Sequence, residues 1–406
     1  MHDIDYSKVG FSTLAIHAGA YDDKAYGAEA TPIYQTSTYT FENLDEAEAV
    51  FRGEVPKYGY GRHGNPTTAT LERKIAALEC AEAAAVTSSG MGAVSSVLLG
   101  ELGCGDHMIC ADTVYGCTDK VVREYLPTFG IETTMLDTSD LEALEAAFKP
   151  NTKMVYFEAV ANPTLRVTDI AAVAEIAHKH GAIVVVDNTF TPPPVCRPLT
   201  LGADIVLHSM TKYLNGHGDV IAGVIAGKKE TISAIVSKCV GKLTGSELAP
   251  IASYMVIRGL KTLDVRMKVH SASAKAMAEY LEKQPYIKAV YHPTLPSNGK
   301  NYETAKKQFR EGYCTGMITF ETAEYKGMSE YEVARKLLDN LQIPGLGVSL
   351  GGADSLIQLP TAMTHAKVPA EGKKAAGITD GMVRFSVGLE NIEDLIADFE
   401  QAAAKL

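Results

Sequence analysis

The sequence predicts an α/β protein: a mostly parallel sheet flanked by helices, with a smaller α/β lobe at the C-terminal end. Three observations carry that prediction. Short apolar runs without polar alternation recur along the middle of the chain, as strands buried on both faces require. Helical patterns separate most of those runs, and strands alternating with helices fold into a parallel sheet. The size also fits, since 406 residues with 46% hydrophobic and 21% charged side chains are enough for large cores without disulfides.

Residues before about Asn65 lack this rhythm. They are rich in Tyr, Thr, Gly and Pro, as in Thr31-Pro32-Ile33-Tyr34 and Tyr58-Gly59-Tyr60-Gly61, and read as an arm (1–62) lying on a neighbouring subunit. A domain over 63–262 follows. It opens with a helix over Leu71–Leu78, a strand over Ala84–Ser88 and a helix starting at Gly90-Met91-Gly92 and carrying Val94, Val97, Leu98 and Leu102. Further strands are expected at His107–Ala111, Glu132–Leu136, Met154–Phe157, Ile183–Val186 and Ile205–Leu207, with helices at Leu141–Phe148 and Ile170–Ala177. A long helical pattern runs from about Ala249 through Tyr254, Leu260, Leu263 and Met267 towards Leu281, bridging into a C-terminal domain over 263–406. There, Gly316–Phe320 and Met382–Val387 read as strands. The last helix sets Ile392, Leu395, Ile396 and Phe399 on one face, with Asn391 as its expected N-cap.

Several function classes drop out. With 38 Lys+Arg against 49 Asp+Glu, the net charge is −11, which disfavours nucleic acid and anionic membranes as partners. Seven cysteines without a CxxC pair read as reduced thiols of a cytoplasmic protein. The opening Met-His-Asp-Ile-Asp-Tyr-Ser-Lys lacks the build of a secretory leader, and no apolar run approaches the roughly 18 residues of a membrane span. Gly59–Gly64 matches GxGxxG, but Pro56 stands where a strand is needed and Asn65-Pro66 turns the chain afterwards, so the dinucleotide reading fails. The 11 histidines include no HExxH, His178 and His180 do not share a helix face, and no metal is expected.

The strongest signal is a pair of polar clusters, each set just after an apolar strand. One is Val184-Val185-Val186-Asp187-Asn188-Thr189; the other is Asp204-Ile205-Val206-Leu207-His208-Ser209-Met210-Thr211-Lys212. Ligands of open α/β sheets bind outside the carboxyl ends of the strands, so Asp187 and Lys212 are expected in one crevice. Taken singly, a strand-end Asp caps a turn and a Lys decorates the surface. Together they meet the demand of pyridoxal 5'-phosphate: an amine for the aldehyde, and a carboxylate that keeps the pyridine nitrogen protonated. The hydroxyls of Ser209 and Thr211, with the backbone N–H groups of Gly90 and Met91 at a helix start, suit its phosphate.

Ser209-Met210-Thr211-Lys212-Tyr213-Leu214-Asn215-Gly216-His217-Gly218-Asp219 resembles the cofactor-lysine signature of the Cys/Met-metabolism pyridoxal phosphate enzymes. Tyr60-Gly61-Arg62, Gly64-Asn65-Pro66-Thr67, Ser89-Gly90-Met91-Gly92, Asp187-Asn188-Thr189, Arg258-Gly259-Leu260-Lys261-Thr262 and Arg384-Phe385-Ser386-Val387-Gly388 follow in that family's order. The resemblance implies the aspartate aminotransferase-like fold (fold type I) and a homotetramer built of two catalytic dimers. It implies Lys212 as cofactor lysine and base, Asp187 as partner of the pyridine nitrogen, and Tyr115 stacked on the ring. Phosphate would be held by Gly90, Met91, Ser209 and Thr211 of the same chain and by Tyr60 and Arg62 of the neighbour. Arg384 would take the substrate α-carboxylate in bidentate fashion, and Ser349 would line that pocket through its backbone. Alternation of Val383, Phe385 and Val387 with Arg384 and Ser386 puts Arg384 on the strand face away from the apolar residues.

This family spans methionine γ-lyases, cystathionine lyases and synthases, and O-acetylhomoserine sulfhydrylases. Cys117, in Val114-Tyr115-Gly116-Cys117-Thr118, resembles the methionine γ-lyase branch and would set a soft thiol near the substrate sulfur; its bland alternative is a small packing residue. Gly241-Lys242-Leu243-Thr244-Gly245 departs from that branch's Lys-Asp-Met-Thr-Gly, so a polar network around Cys117 does not carry over, and Glu247 reads as a solvated loop or helix-cap acid. The expected reaction is α,γ-elimination from L-methionine, with homocysteine also accepted. Tyr115 is the expected acid or base near the leaving group, its phenol lowered by Arg62. A cystathionine γ-lyase or homocysteine desulfhydrase comes next, then O-acetylhomoserine sulfhydrylase. A non-catalytic scaffold is the reading from another class, and the joint presence of Lys212, Asp187 and Arg384 argues against it.

Overall fold

Seven short strands form the larger sheet of the computed structural model, which describes residues 4–367, 369, 372–373 and 377–406. They are β1 (Ala83–Thr87), β2 (His107–Ala111), β3 (Glu132–Leu136), β4 (Thr152–Glu158), β5 (Ile183–Asp187), β6 (Ile205–Ser209) and β7 (Gly223–Gly227). Their order is β1-β7-β6-β5-β4-β2-β3, and β7 alone runs against its neighbours. β2 is wholly buried and β4 nearly so, which is why their sequences are apolar without alternation. Six of these strands were expected. β7 was not, because Gly-Val-Ile-Ala-Gly dilutes its own apolar signal. Gly223 is required there: a Cβ would lie 2.1 Å from the Ser89 carbonyl oxygen.

The sheet separates two apolar layers. Ala85 and Ile225 point into one and Val86 and Val224 into the other, with helices Gly90–Glu101 and Ile170–Lys179 on the first side and Pro66–Glu79 on the second. Asn65, Ser89, Asp140 and Asp169 each cap the helix that follows by accepting a first-turn N–H.

The second sheet holds β8 (Ile287–Tyr291), β9 (Met317–Thr322), β10 (Gly345–Leu346), β11 (Leu356–Gln358) and β12 (Met382–Ser386), in the order β10-β11-β12-β9-β8 and antiparallel except for β10 with β11. The expected strands are β9 and β12. A third core joins Phe320, Val383 and Phe385 to Leu395 and Phe399 of the final helix, Ile392–Ala403. Asn391 stands at that helix's N-cap by position only: its side chain accepts no first-turn N–H and instead reaches Asp394 Oδ2 at 3.5 Å.

The expected long helix is two, Pro250–Leu260 and Leu263–Leu281, broken at Lys261–Thr262. The buried faces continue across the break, so the pattern runs on. The Gly259 carbonyl is taken by Arg266 Nη2 at 2.9 Å. Leu263 and Met267 belong to the second core and Ala274, Met277 and Leu281 to the third, so this helix bridges the two sheets.

At the N-terminal end, helix Phe11–His17 docks on its own chain. Buried Lys74 donates to the carbonyls of Ala15 and Ile16 at 2.9 Å each, and Ser12 bonds Asp264. Between Gly19 and Arg62 the described secondary structure is sparse, with helix Leu44–Phe51 burying none of its residues and an isolated bridge joining Thr38 to Tyr60.

Candidate active site

The carboxyl ends of β4, β5 and β6 open into a cavity of about 370 Å³, lined among others by Tyr115, Asp187, Lys212, Ser349 and Arg384. One side of it is the start of helix Gly90–Glu101. Ser89 spends its side chain on the Gly92 N–H at 3.0 Å, and Gly90 lies so close to Ser209 that a Cβ would come within 2.8 Å of the Ser209 Cβ. The first-turn N–H groups, Ser209 and Thr211 thus share one corner.

Lys212 sits in the turn after β6. Arg266, itself buried, clamps that turn from behind by donating to the Tyr213 carbonyl at 2.8 Å, and Gly216 must be glycine because a Cβ would strike Arg266 Nη1 at 1.9 Å. Lys212 Nζ donates to Ser349 Oγ at 2.8 Å. Ser349 holds φ +98, a left-handed conformation that costs a non-glycine residue free energy of order 1–3 kcal/mol. Its carbonyl accepts from Arg384 Nη2 at 3.1 Å, and Asn162 Oδ1 accepts from Arg384 Nη1 at 3.0 Å. With its amide oriented to accept, Gln358 takes Arg384 Nε at 2.7 Å and Nη2 at 3.0 Å. The chain therefore engages four of the five guanidinium donors, leaving one on Nη1. A bidentate grip on a carboxylate requires Asn162 or Ser349 to give way.

Comparison with known proteins speaks to the whole chain. Residues 12–404 match the family described as Cys/Met metabolism PLP-dependent enzyme. An L-methionine gamma-lyase of Porphyromonas gingivalis is 48% identical over 99% of each chain. A cystathionine beta-lyase of Lactococcus lactis subsp. cremoris is 42% identical over 97% of this chain and 98% of its own. The crystal structure of cystathionine gamma-lyase from Lactobacillus plantarum complexed with L-serine superposes with a TM-score of 0.89 at 38% identity, over 98% of this chain and 99% of that one.

The chain belongs to the Cys/Met-metabolism pyridoxal phosphate-dependent enzymes. The fold has the α/β architecture expected of that family, and the cavity fits its cofactor. Asp187 lies in register with Glu158 on the neighbouring strand; burial pushes both carboxyls up, and for Glu158 the charge of Asp187 adds to it. Both Thr189 donors, N–H at 3.0 Å and hydroxyl at 2.5 Å, fall on Asp187 Oδ1. Asp187 could hold a pyridinium N–H, which would supply the positive charge that these two buried carboxyls call for. Burial, with Arg384 second, lowers the Lys212 amine to about 8. Burial also brings the Arg384 guanidinium down to about 10, which leaves it charged at neutral pH.

Of the sequence-predicted residues, the structure brings together Gly90, Met91, Tyr115, Asp187, Ser209, Thr211, Lys212, Ser349 and Arg384. Val383 and Phe385 face the third core, leaving Arg384 on the opposite face as expected. Cys117 is exposed and lies outside the cavity lining, beside the Tyr115 hydroxyl. Tyr60 and Arg62 lie elsewhere, lining a separate recess of about 310 Å³ with Glu247, and Arg62 bonds the Gly241 carbonyl. Within the single chain, Cys117 and then burial push the Tyr115 hydroxyl up to about 12, with Arg384 opposing; the Arg62 expected to lower it is that of a neighbouring copy. Sequence reasoning missed Glu158, Asn162 and Gln358. Glu158 ends β4 as Asp187 ends β5, and Asn162 follows shortly after, so the same strand-end rule could have found them.

Proposed function

We propose that this enzyme is an L-methionine γ-lyase, releasing methanethiol, 2-oxobutyrate and ammonia and also accepting homocysteine. The observation that carries the reading is the convergence of Lys212 and Arg384 on Ser349, which sets a proton-accepting amine beside a carboxylate-binding guanidinium. Likeness to the P. gingivalis enzyme supports the choice of substrate.

When bound, pyridoxal phosphate supplies an electron sink that stabilises negative charge at the substrate α-carbon. Gly90, Met91, Ser209 and Thr211 hold its phosphate and Asp187 its ring nitrogen, with Tyr60 and Arg62 reaching the phosphate from a neighbouring subunit. Arg384 fixes the substrate carboxylate, so the α-hydrogen faces Lys212 Nζ. With its amine near 8, Lys212 is neutral in part at pH 7 and can take that proton. Tyr115, near 12, stays protonated and serves as the acid that delivers a proton to the departing sulfur. Cys117, beside that hydroxyl, tunes this step.

The arm over 1–62, the cofactor domain over 63–262 and the C-terminal domain over 263–406 make the working division, supported by the two sheets and the helix break at Lys261–Thr262. We place the enzyme in the cytoplasm as a homotetramer of catalytic dimers. Seven free cysteines support the first, and the uncovered apolar side chains of the arm support the second. Among the described residues no helix is long and apolar enough to cross a membrane.

The test is 2-oxobutyrate formation from L-methionine alone, with cofactor and no second substrate; a clear rate is expected. Likeness to the L. lactis enzyme favours one second reading. No product from methionine, with release from cystathionine, would move the function to a cystathionine lyase, and turnover only of O-acetylhomoserine with a thiol would move it to a sulfhydrylase.

A further inference from the structure

We propose that Glu158 is a positioning residue that holds the Tyr115 face and the Arg384 side chain in one register through its two carboxylate oxygens. The proposal rests on the reading of the site above. Glu158 ends β4 and is 6% exposed. Its Oε1 accepts from the Tyr115 N–H at 2.5 Å and its Oε2 from the Asn162 N–H at 2.9 Å. Asn162 in turn accepts from Arg384, Arg384 donates to the Ser349 carbonyl, and Ser349 Oγ accepts from Lys212. One unbroken hydrogen-bonded path thus runs around the cavity from Tyr115 to Lys212, and Glu158 is its only member that joins the aromatic side to the guanidinium side.

Only a group that accepts at both ends can fill this place. Two N–H donors on different segments converge on it, and a carboxylate presents an acceptor to each. In Glu158→Gln one oxygen becomes an amide donor facing an N–H, so one arm of the path must open. A buried carboxylate with no lysine or arginine within ion-pair distance among the described residues is costly unless such hydrogen bonds offset it. The geometry also matters for Arg384. Asn162 occupies one of its donors, so where Glu158 sets the Asn162 backbone decides how readily the guanidinium turns to a substrate carboxylate.

The test uses holoenzymes of Glu158→Gln, Asn162→Ala and the double variant, each checked for cofactor content and melting temperature. Two competitive ligands are compared: L-norleucine, which carries an α-carboxylate, and pentylamine, which has the same chain without it. Glu158→Gln is expected to weaken L-norleucine by about tenfold, as loss of one hydrogen bond to a charged group implies, with pentylamine changed by less than about twofold. Because Glu158 acts on Arg384 through Asn162, adding Glu158→Gln to Asn162→Ala should change L-norleucine binding by less than about twofold. Equal weakening of both ligands, unchanged L-norleucine binding, or full additivity in the double would overturn the proposal. Should Glu158→Gln lose the cofactor, Glu158→Asp keeps the charge but reaches only one of the two N–H groups, and is read by the same ligand pair. If the wild type releases no 2-oxobutyrate from L-methionine, the substrate reading falls, while the ligand comparison still decides the role of Glu158.

Discussion

Two regions that the proposed mechanism joins are built in opposite ways. Around Lys212 the polar groups are buried and mutually bonded: Arg384 is 7% exposed and has four donors engaged. Along the N-terminal segment that carries Arg62, apolar side chains stand in solvent, with Tyr26 93%, Phe51 74% and Leu44 73% exposed. Exposed apolar surface of that extent is the usual mark of a covered interface. The contrast teaches that a single chain folds the Lys212–Ser349–Arg384 side of the cavity unaided. Under the proposed mechanism, the side that would close over phosphate comes from another copy.

Lys212→Ala breaks the first region at its centre. Turnover should fall by at least about a thousandfold, because the proposed base and cofactor attachment are lost together, while the melting temperature of the apo-protein stays near wild type. Retained turnover would remove the whole assignment of the cavity. Arg62→Ala addresses the second region and should weaken cofactor retention by about tenfold to a hundredfold, the worth of a charge-assisted contact to phosphate. The comparison sharpens in mixtures. If Arg62 acts across a subunit boundary, equal mixing of Arg62→Ala and Lys212→Ala chains leaves roughly a quarter of sites with both native groups, so activity should return. Mixtures that exchange subunits yet stay inactive would place Arg62 and Lys212 in service of the same chain's site.

How legible each region was in the sequence follows the same contrast. β2 and β3 appear at the residues expected, His107–Ala111 and Glu132–Leu136; β2 is a wholly buried run that leaves little choice, whereas β3, at the sheet edge, is only partly buried and follows its neighbour in register. β8, β10 and β11 were not foreseen. β8 has solvent on part of its length, β10 is two exposed residues, and neither needs an apolar run. Asp187 and Lys212 could be read because each sits locally at a strand end. Asn162 and Arg384 are 222 residues apart, and nothing local in either segment announces that one will bond the other. The influence of Cys117 on the Tyr115 hydroxyl within one chain was not foreseen either, since the expected cation, Arg62, is that of a neighbouring copy and lies outside its own chain's cavity.

The smallest expected effect tests the buried region without touching the arm. Burial disfavours the charged form of Lys212 and Arg384 adds to it, so the amine titrates near 8 and not at 10.5. In the folded apo-protein the cost of that ammonium is therefore carried below pH 8, and it fades as pH rises from about 8 towards 10.5. Only the neutral amine can bond the cofactor aldehyde. At pH 7 an amine near 8 is about one-tenth neutral, so capture of pyridoxal phosphate by apo-protein should run roughly tenfold below its plateau and level off above about pH 9. Stopped-flow absorbance of the bound cofactor across pH measures this directly. A rate still climbing beyond pH 10 would mean that Lys212 is solvated like a surface lysine and that the cavity does not desolvate it. In Arg384→Gln the cation is gone but burial, the larger cause, remains, so the midpoint should move upward and still fall short of 10.5. A midpoint unmoved by that change would assign the whole effect to burial and leave Arg384 acting on the substrate alone.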